Sequence, residues 1–205
     1  MFVIYFTTNF FLIINDGIYW DDWVLYNQNA EDIKLIFYEA SGYAGNITSS
    51  IHLTLLNIGV LSYRALTVIL FFSSGIFIYK ILRSLSFFSS KDQFYLVLFI
   101  LLAPLNSAKI LLISFPSILL YTLFFLAFYL LSSRINDLKF PIRTLILSIF
   151  FISFLLNSLL VFYAIVLLYI FYKIYNEKLS VINNIYLLIK TKIDFILLPL
   201  FFFII

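Results

Sequence analysis

The chain contains no cysteine, so it can form neither a disulfide nor a thiolate nucleophile. It has one histidine, His52, which excludes a metal site built on a histidine cluster. No Walker motif, glycine-rich nucleotide loop or zinc signature is present, so nothing points to ATP or to a soluble nucleotide donor. Charge is scarce as well. Only 11% of the 205 residues are charged, against about 25% in an ordinary soluble domain.

What fills the chain is apolar. Hydrophobic residues make up 64% of it, with Phe, Ile, Leu and Tyr dominant. A soluble fold of this length leaves too much surface exposed to hide so much apolar material. Apart from an aggregation-prone piece with no fold of its own, a multi-pass membrane protein is the class this composition implies. Phe, Ile, Tyr, Asn and Lys are abundant beside scarce Ala, Gly and Arg, as in an AT-rich codon bias. The aromatic excess alone therefore carries no function.

The net charge of +3 is unevenly distributed. Residues 15–50 hold six acids and one base, a net of −5, and the remainder holds twelve bases and four acids, a net of +8. Such a split marks cytoplasmic loops by their bases, and it argues against a nucleic-acid partner. Three basic clusters stand out: Lys80, Arg83 and Lys91; Arg134, Lys139 and Arg143; and Lys173, Lys178, Lys190 and Lys192. If all three are cytoplasmic, then Pro104–Lys109 and Asn157-Ser158 are external turns, and Leu145–Tyr172 is a hairpin of two short helices. Loop 15–50 is then external too.

The other apolar runs are Phe2–Ile14, Val60–Tyr79, Phe94–Leu105, Ile110–Leu131, Ile182–Ile189 and Phe195–Ile205. Phe2–Ile14 has neither the basic start nor the small-residue cleavage site of a signal peptide, and reads as the final part of a first membrane helix. The expected fold is an all-α polytopic integral membrane helix bundle. Residues 1–205 are expected to form a single transmembrane domain. Because both ends lie inside apolar runs, the expectation is the N-terminal part of a longer protein.

The external loop has its own signals. Asn29 can cap a helix whose first turn holds Glu31 and Asp32. Ile33, Ile36, Phe37 and Ala40 give one apolar face, and Ser41-Gly42 is a stop. The spacing predicts a short juxtamembrane amphipathic helix on the bilayer surface. Trp20 and Trp23 suit the same interface. Asn46-Ile47-Thr48 matches a glycosylation sequon, a pattern common by chance.

The stretch "NDGIYWDDW", Asn15–Trp23, holds three aspartates and both tryptophans. Adjacent residues point about 100° apart on a helix, so Asp21 and Asp22 are not two carboxylates working across one bond. One can face a cleft as base or metal ligand while the other meets backbone or solvent. Asp16 can join them by folding back over Gly17. Acidic residues also serve simply to keep a loop in water. Arg64 raises the pair above that, because a guanidinium inside an apolar run marks function by default. Arginine is well shaped to grip a phosphate. Lys109 is a second candidate phosphate contact, or an ordinary snorkelling lysine. His52 lies between the aspartates and Arg64 in sequence, as a candidate substrate contact or an interfacial histidine bonded to backbone.

In the order of these features the chain resembles the N-terminal half of the polytopic GT-C type glycosyltransferases, which include protein mannosyltransferase-like and lipid-sugar transferase families. "YWDDW" (Tyr19–Trp23) stands where that superfamily has the acidic motif of its first external loop. "IHLTLL" (Ile51–Leu56) stands where it has a His-Pro-Pro-Leu-like segment, here without the prolines. Gly59–Leu85 resembles the following helix, with Arg64 as its arginine, and Leu101–Leu112 resembles a later external turn. The resemblance implies a polyprenyl-phosphate sugar donor in the lipid bilayer and a glycan or protein acceptor. It implies Asp21 or Asp22 as the base on the acceptor, with Arg64, joined by Lys109, on the leaving phosphate. A divalent cation is compatible but not required. The implied location is a bacterial plasma (inner) membrane with loop 15–50 external.

Two other classes compete. A lipid or polysaccharide transporter, or a membrane subunit, would carry polar residues deep in several spans, whereas Arg64 is the one charged residue inside a clear run. A polysaccharide polymerase would place several arginines in later external loops, and none is evident.

Overall fold

The computed structural model describes residues 1–15, 17–26, 28–85, 87–103, 111–135 and 137–204. All regular structure among them is helical, and no strand occurs. The chain divides into two compact units, residues 1–122 and 123–205.

The first unit begins with α1, Phe2–Ile13. A 3-10 turn, Trp20–Asp22, leads into the single turn α2, Trp23–Tyr26. Helix α3, Ala30–Ser41, starts and stops where its residues require. The Asn29 side chain accepts from the N–H groups of Glu31 (3.0 Å) and Asp32 (2.9 Å), satisfying two donors that have no partner inside the helix. At Gly42 the backbone takes φ 59°, a conformation that other side chains resist. The chain then doubles back as α4, Tyr43–Ile58, which packs along α3.

This pairing corrects one expectation. Ile33 is buried and Phe37 packs against the same apolar cluster, so that side of α3 faces protein, while Ile36 and Ala40 remain exposed. Trp23 is exposed, as an interfacial indole would be; the Trp20 side chain lies outside the described set. The contact between α3 and α4 turns on Gly45. A Cβ placed there would lie 1.8 Å from the Phe37 carbonyl oxygen, a backbone atom that cannot swing aside. Gly45→Ala is expected to destabilise the protein by roughly 3 kcal/mol, at the upper end for overpacking. Gly42→Ala, with open space around it and only its positive φ to oppose, should lose about 1 kcal/mol. Thermal unfolding of the two variants checks the order.

Gly59, at φ 112°, ends α4 and releases α5, Val60–Arg83. Its buried residues recur every three or four positions: Arg64, Thr67, Phe71, Ser74, Ile78 and Ile81. Leu61, Leu66 and Ile69 point outward, so the helix is apolar on both faces. The buried stripe meets α1 and α6, Ser90–Leu102. The Tyr5 hydroxyl donates to the Val68 carbonyl at 3.0 Å. Gly75 lets Leu101 of α6 come within 2.7 Å of where a Cβ would stand. Helix α6 begins at Ser90, earlier than its apolar run, because the hydroxyl of the preceding Ser89 accepts from the Asp92 N–H and donates to the Asp92 carboxylate. The described part of the next connection resumes as a 3-10 turn, Leu112–Ser114, followed by α7, Phe115–Arg134.

The second unit contains the later part of α7, then α8, Phe140–Ser153, and α9, Ser158–Ile174. The expected break falls where the polar pair Asn157-Ser158 stands, between α8 and α9. Tyr163 of α9 lies with its ring 5.1 Å from both Phe150 and Phe154, folding α9 back onto α8. Helix α10, Val181–Ile204, joins the last two apolar runs across a kink at Lys192, whose φ of −136° and ψ of 30° leave the helical region. Two carbonyls of this helix are bonded from the side, that of Thr191 at the kink and that of Phe195, whose usual donor four residues on would be Pro199, which has no N–H. The Tyr163 hydroxyl donates to the Phe195 carbonyl at 3.0 Å, and Arg143 donates to the Thr191 carbonyl at 3.2 Å.

Among the described residues two helical segments are long and apolar enough to cross a membrane, Val60–Arg83 with mean hydropathy 2.0 and Leu112–Arg134 with 1.9. Phe2–Ile13, Phe140–Ser153 and Ser158–Ile174 are apolar but shorter.

Candidate functional site

The 3-10 turn at Trp20–Asp22 separates the two adjacent aspartates. Asp21 is exposed, while Asp22 is fully buried. One Asp22 oxygen, Oδ1, accepts from the N–H of Ile113 at 2.9 Å, across 91 positions of sequence. The other, Oδ2, is buried and has no hydrogen-bond partner among the described residues. One carboxylate therefore faces inward and its neighbour faces solvent.

His52 sits on the inner side of α4, fully buried, with Nδ1 hydrogen-bonded to the hydroxyl of Tyr63. Its ring lies 5.0 Å from that of Phe37 and 5.9 Å from that of Tyr63. Nε2 has no partner among the described residues. The Asp22 carboxylate is near enough for its charge to be felt at the Tyr63 hydroxyl. Three segments thus converge on one phenol, inside an apolar cluster of Leu25, Ile33, Leu55, Leu112 and Phe115. A buried polar atom without a partner costs about 1–3 kcal/mol, which packing does not recover.

Arg64 follows Tyr63 but serves a different contact. Its guanidinium, 1% exposed, donates to the carbonyls of Asn15 and Gly17 and lies 5.6 Å from the centre of the Tyr19 ring. Asn15 folds the same segment on itself, accepting from the Gly17 N–H at 2.7 Å and donating to the Tyr19 hydroxyl at 2.8 Å. Among the described residues Arg64 is met by two carbonyl dipoles and a ring face, and its Nε has no partner there. Asp16 and Lys109 lie outside the described residues. Among the described residues no three His, Cys, Asp or Glu side chains are grouped so as to hold a metal ion.

Beside this cluster, an open groove of about 620 Å³ runs along α4, lined by Asn46, Ser50, Thr54, Leu55 and Phe115 among others. Phe115 also packs edge-on against Tyr63, with ring centres 5.4 Å apart, so one side chain connects the groove to the buried phenol. Tyr63 and the Ile113 N–H were not singled out from the sequence. Tyr63 is one of many tyrosines in an apolar run, and a backbone N–H has no sequence signal.

Burial pushes the His52 imidazole down from 6.5 to about 4, so it is neutral in the folded protein at pH 7. Between pH 6.5 and about 4 the unfolded chain binds the extra proton, so this contribution is complete above pH 6.5 and is lost as pH falls through that window. The loss amounts to about 3 kcal/mol. The unfolding midpoint of the wild type should therefore fall more steeply with acid than that of His52→Phe.

No family model matches the chain, and no curated protein or solved structure does.

Proposed function

We propose that the chain is a polytopic integral membrane protein that moves a sugar from a polyprenyl-phosphate donor to an acceptor on the external face. The membrane part rests on the two long apolar helices, on further apolar helices that can pair into hairpins, and on the placement of charge. Lys80 and Arg83 end α5, Arg134 ends α7, and the acidic segment with α2, α3 and α4 precedes the first full span.

The observation that carries the chemical part is the Asp22 carboxylate. One oxygen is fixed by the Ile113 N–H and the other is buried with no partner among the described residues, which suits a base oriented for a single incoming hydroxyl. In the proposed reaction Asp22 takes the proton of the acceptor hydroxyl, whose oxygen bonds to the anomeric carbon. The bond from that carbon to the donor phosphate breaks on the opposite side, and configuration inverts. Arg64, joined by Lys109, meets the leaving phosphate once the Asn15 and Gly17 carbonyls give way. Tyr63 and His52 hold the wall behind Asp22.

A non-enzymatic membrane subunit or transporter is the second reading. It is favoured by one observation: both terminal nitrogens of Arg64 are already engaged by the loop, as in a structural staple. Mass spectrometry of lipid extracts separates the two. Cells lacking the gene should accumulate unspent polyprenyl-phosphate sugar if the chain is a transferase. An unchanged donor pool defeats that reading.

A further inference from the structure

We propose that the turn between α7 and α8 binds the phosphate of an anionic phospholipid headgroup. This rests on the membrane reading above but not on sugar transfer. Beside this turn lies a half-open pocket of about 390 Å³, lined by Ser132, Ser133, Arg134, Asp137 and Lys139 together with Ile135 and Ile142. Arg134 and Lys139 are exposed and have no ion-pair partner among the described residues. Arg143, one turn into α8, is already bound through two nitrogens to the Asp194 carboxylate.

A second observation comes from the kink of α10. Lys192 is only 9% exposed, and among the described residues its ammonium makes one hydrogen bond, at 3.3 Å, to the carbonyl of Ile135, a residue of the cavity wall. An ammonium has three donors to satisfy, and a buried cation with one long contact is poorly compensated. The lining itself carries two bases, Arg134 and Lys139, and one acid, Asp137, and Lys192 reaches the backbone of its wall at Ile135. Ile142, in the uncapped first turn of α8, also lines the space, and free N–H groups at a helix start favour an anion.

A lipid fits better than a free ion because the surface beside the cavity is apolar. Phe140 is 81% exposed and Leu145 53%, so an acyl chain can lie along α8 while its phosphate meets the bases. Basic pockets at the cytoplasmic ends of membrane helices recognise headgroups in this way.

The full-length chain, purified from the membrane fraction and placed in phosphatidylcholine nanodiscs with a minority of phosphatidylglycerol, provides the test by native mass spectrometry. The wild type should retain phosphatidylglycerol selectively, and Arg134→Ala with Lys139→Ala should weaken retention roughly 10- to 30-fold, at one basic contact each. Lys178→Ala with Lys190→Ala, which removes the same charge elsewhere, should leave retention unchanged. Equal retention in both double variants overturns the site. Displacement of the lipid by millimolar inorganic phosphate assigns the cavity to a free ion and overturns the lipid. A chain recovered only in the soluble fraction defeats the membrane reading itself, and the lipid site with it.

Discussion

Asp22→Asn is expected to lower sugar transfer by about 10²–10⁴-fold, the scale of a lost general base, while Asp21→Asn keeps it within a few-fold. The asymmetry follows from the 3-10 turn. Asp21 is exposed, whereas Asp22 is buried with one oxygen fixed and the other without a partner among the described residues. Asparagine keeps the shape and the carbonyl oxygen that accepts from Ile113, but it cannot take a proton. Transfer is measured in membranes matched for protein level, which separates lost chemistry from lost expression. Asp22→Ala would be less informative, because it also leaves the Ile113 N–H without its acceptor. A large loss in Asp21→Asn beside full activity in Asp22→Asn would reverse the assignment.

Arg64→Ala is expected to lose about 3–5 kcal/mol of stability, since buried hydrogen bonds from a charged group contribute about 1.5–3 kcal/mol each. The alanine leaves the Asn15 and Gly17 carbonyls without a donor and removes the cation from the Tyr19 ring. Arg64→Lys should recover little, because one ammonium on a flexible stem does not reproduce a planar fork reaching two carbonyls. The chain's two tryptophans, Trp20 and Trp23, lie just beyond this segment, so their fluorescence reports its release on heating. An unchanged unfolding midpoint with lost transfer would move Arg64 from staple to phosphate contact. An unchanged midpoint with full transfer would remove it from both roles.

The features legible in sequence were those set by local chemistry. Asn29 caps α3 as its side chain requires, Gly42 turns the chain after Ser41, and the polar pair Asn157-Ser158 divides one long apolar run into α8 and α9. The charged stretch between the last two apolar runs coincides with the kink at Lys192. Helix α4 was less visible, because "SSIHLTLLNIG" reads as mixed polarity until Asn46, Ser50, Thr54 and Asn57 are seen as one exposed helical stripe. The site itself depended on contacts that no local pattern encodes. Asp22 finds a backbone N–H in a distant turn, and His52 finds a tyrosine on the next helix. For Arg64 the sequence marked a cation in need of compensation, and the structure shows one source of it in the Asn15 and Gly17 carbonyls and the Tyr19 ring. Backbone carbonyls and an aromatic face can stand in for an anion, and a residue sequence does not count them.

The central claim is that Asp22 belongs to a transferase acting on a lipid-linked sugar. The most direct measurement is mass spectrometry of cell-surface glycans from cells carrying the gene, lacking it, and complemented with wild type or Asp22→Asn. The account predicts loss of one sugar increment on deletion, restoration by wild type, and no restoration by Asp22→Asn at equal membrane abundance. Identical glycans in all four strains would contradict it.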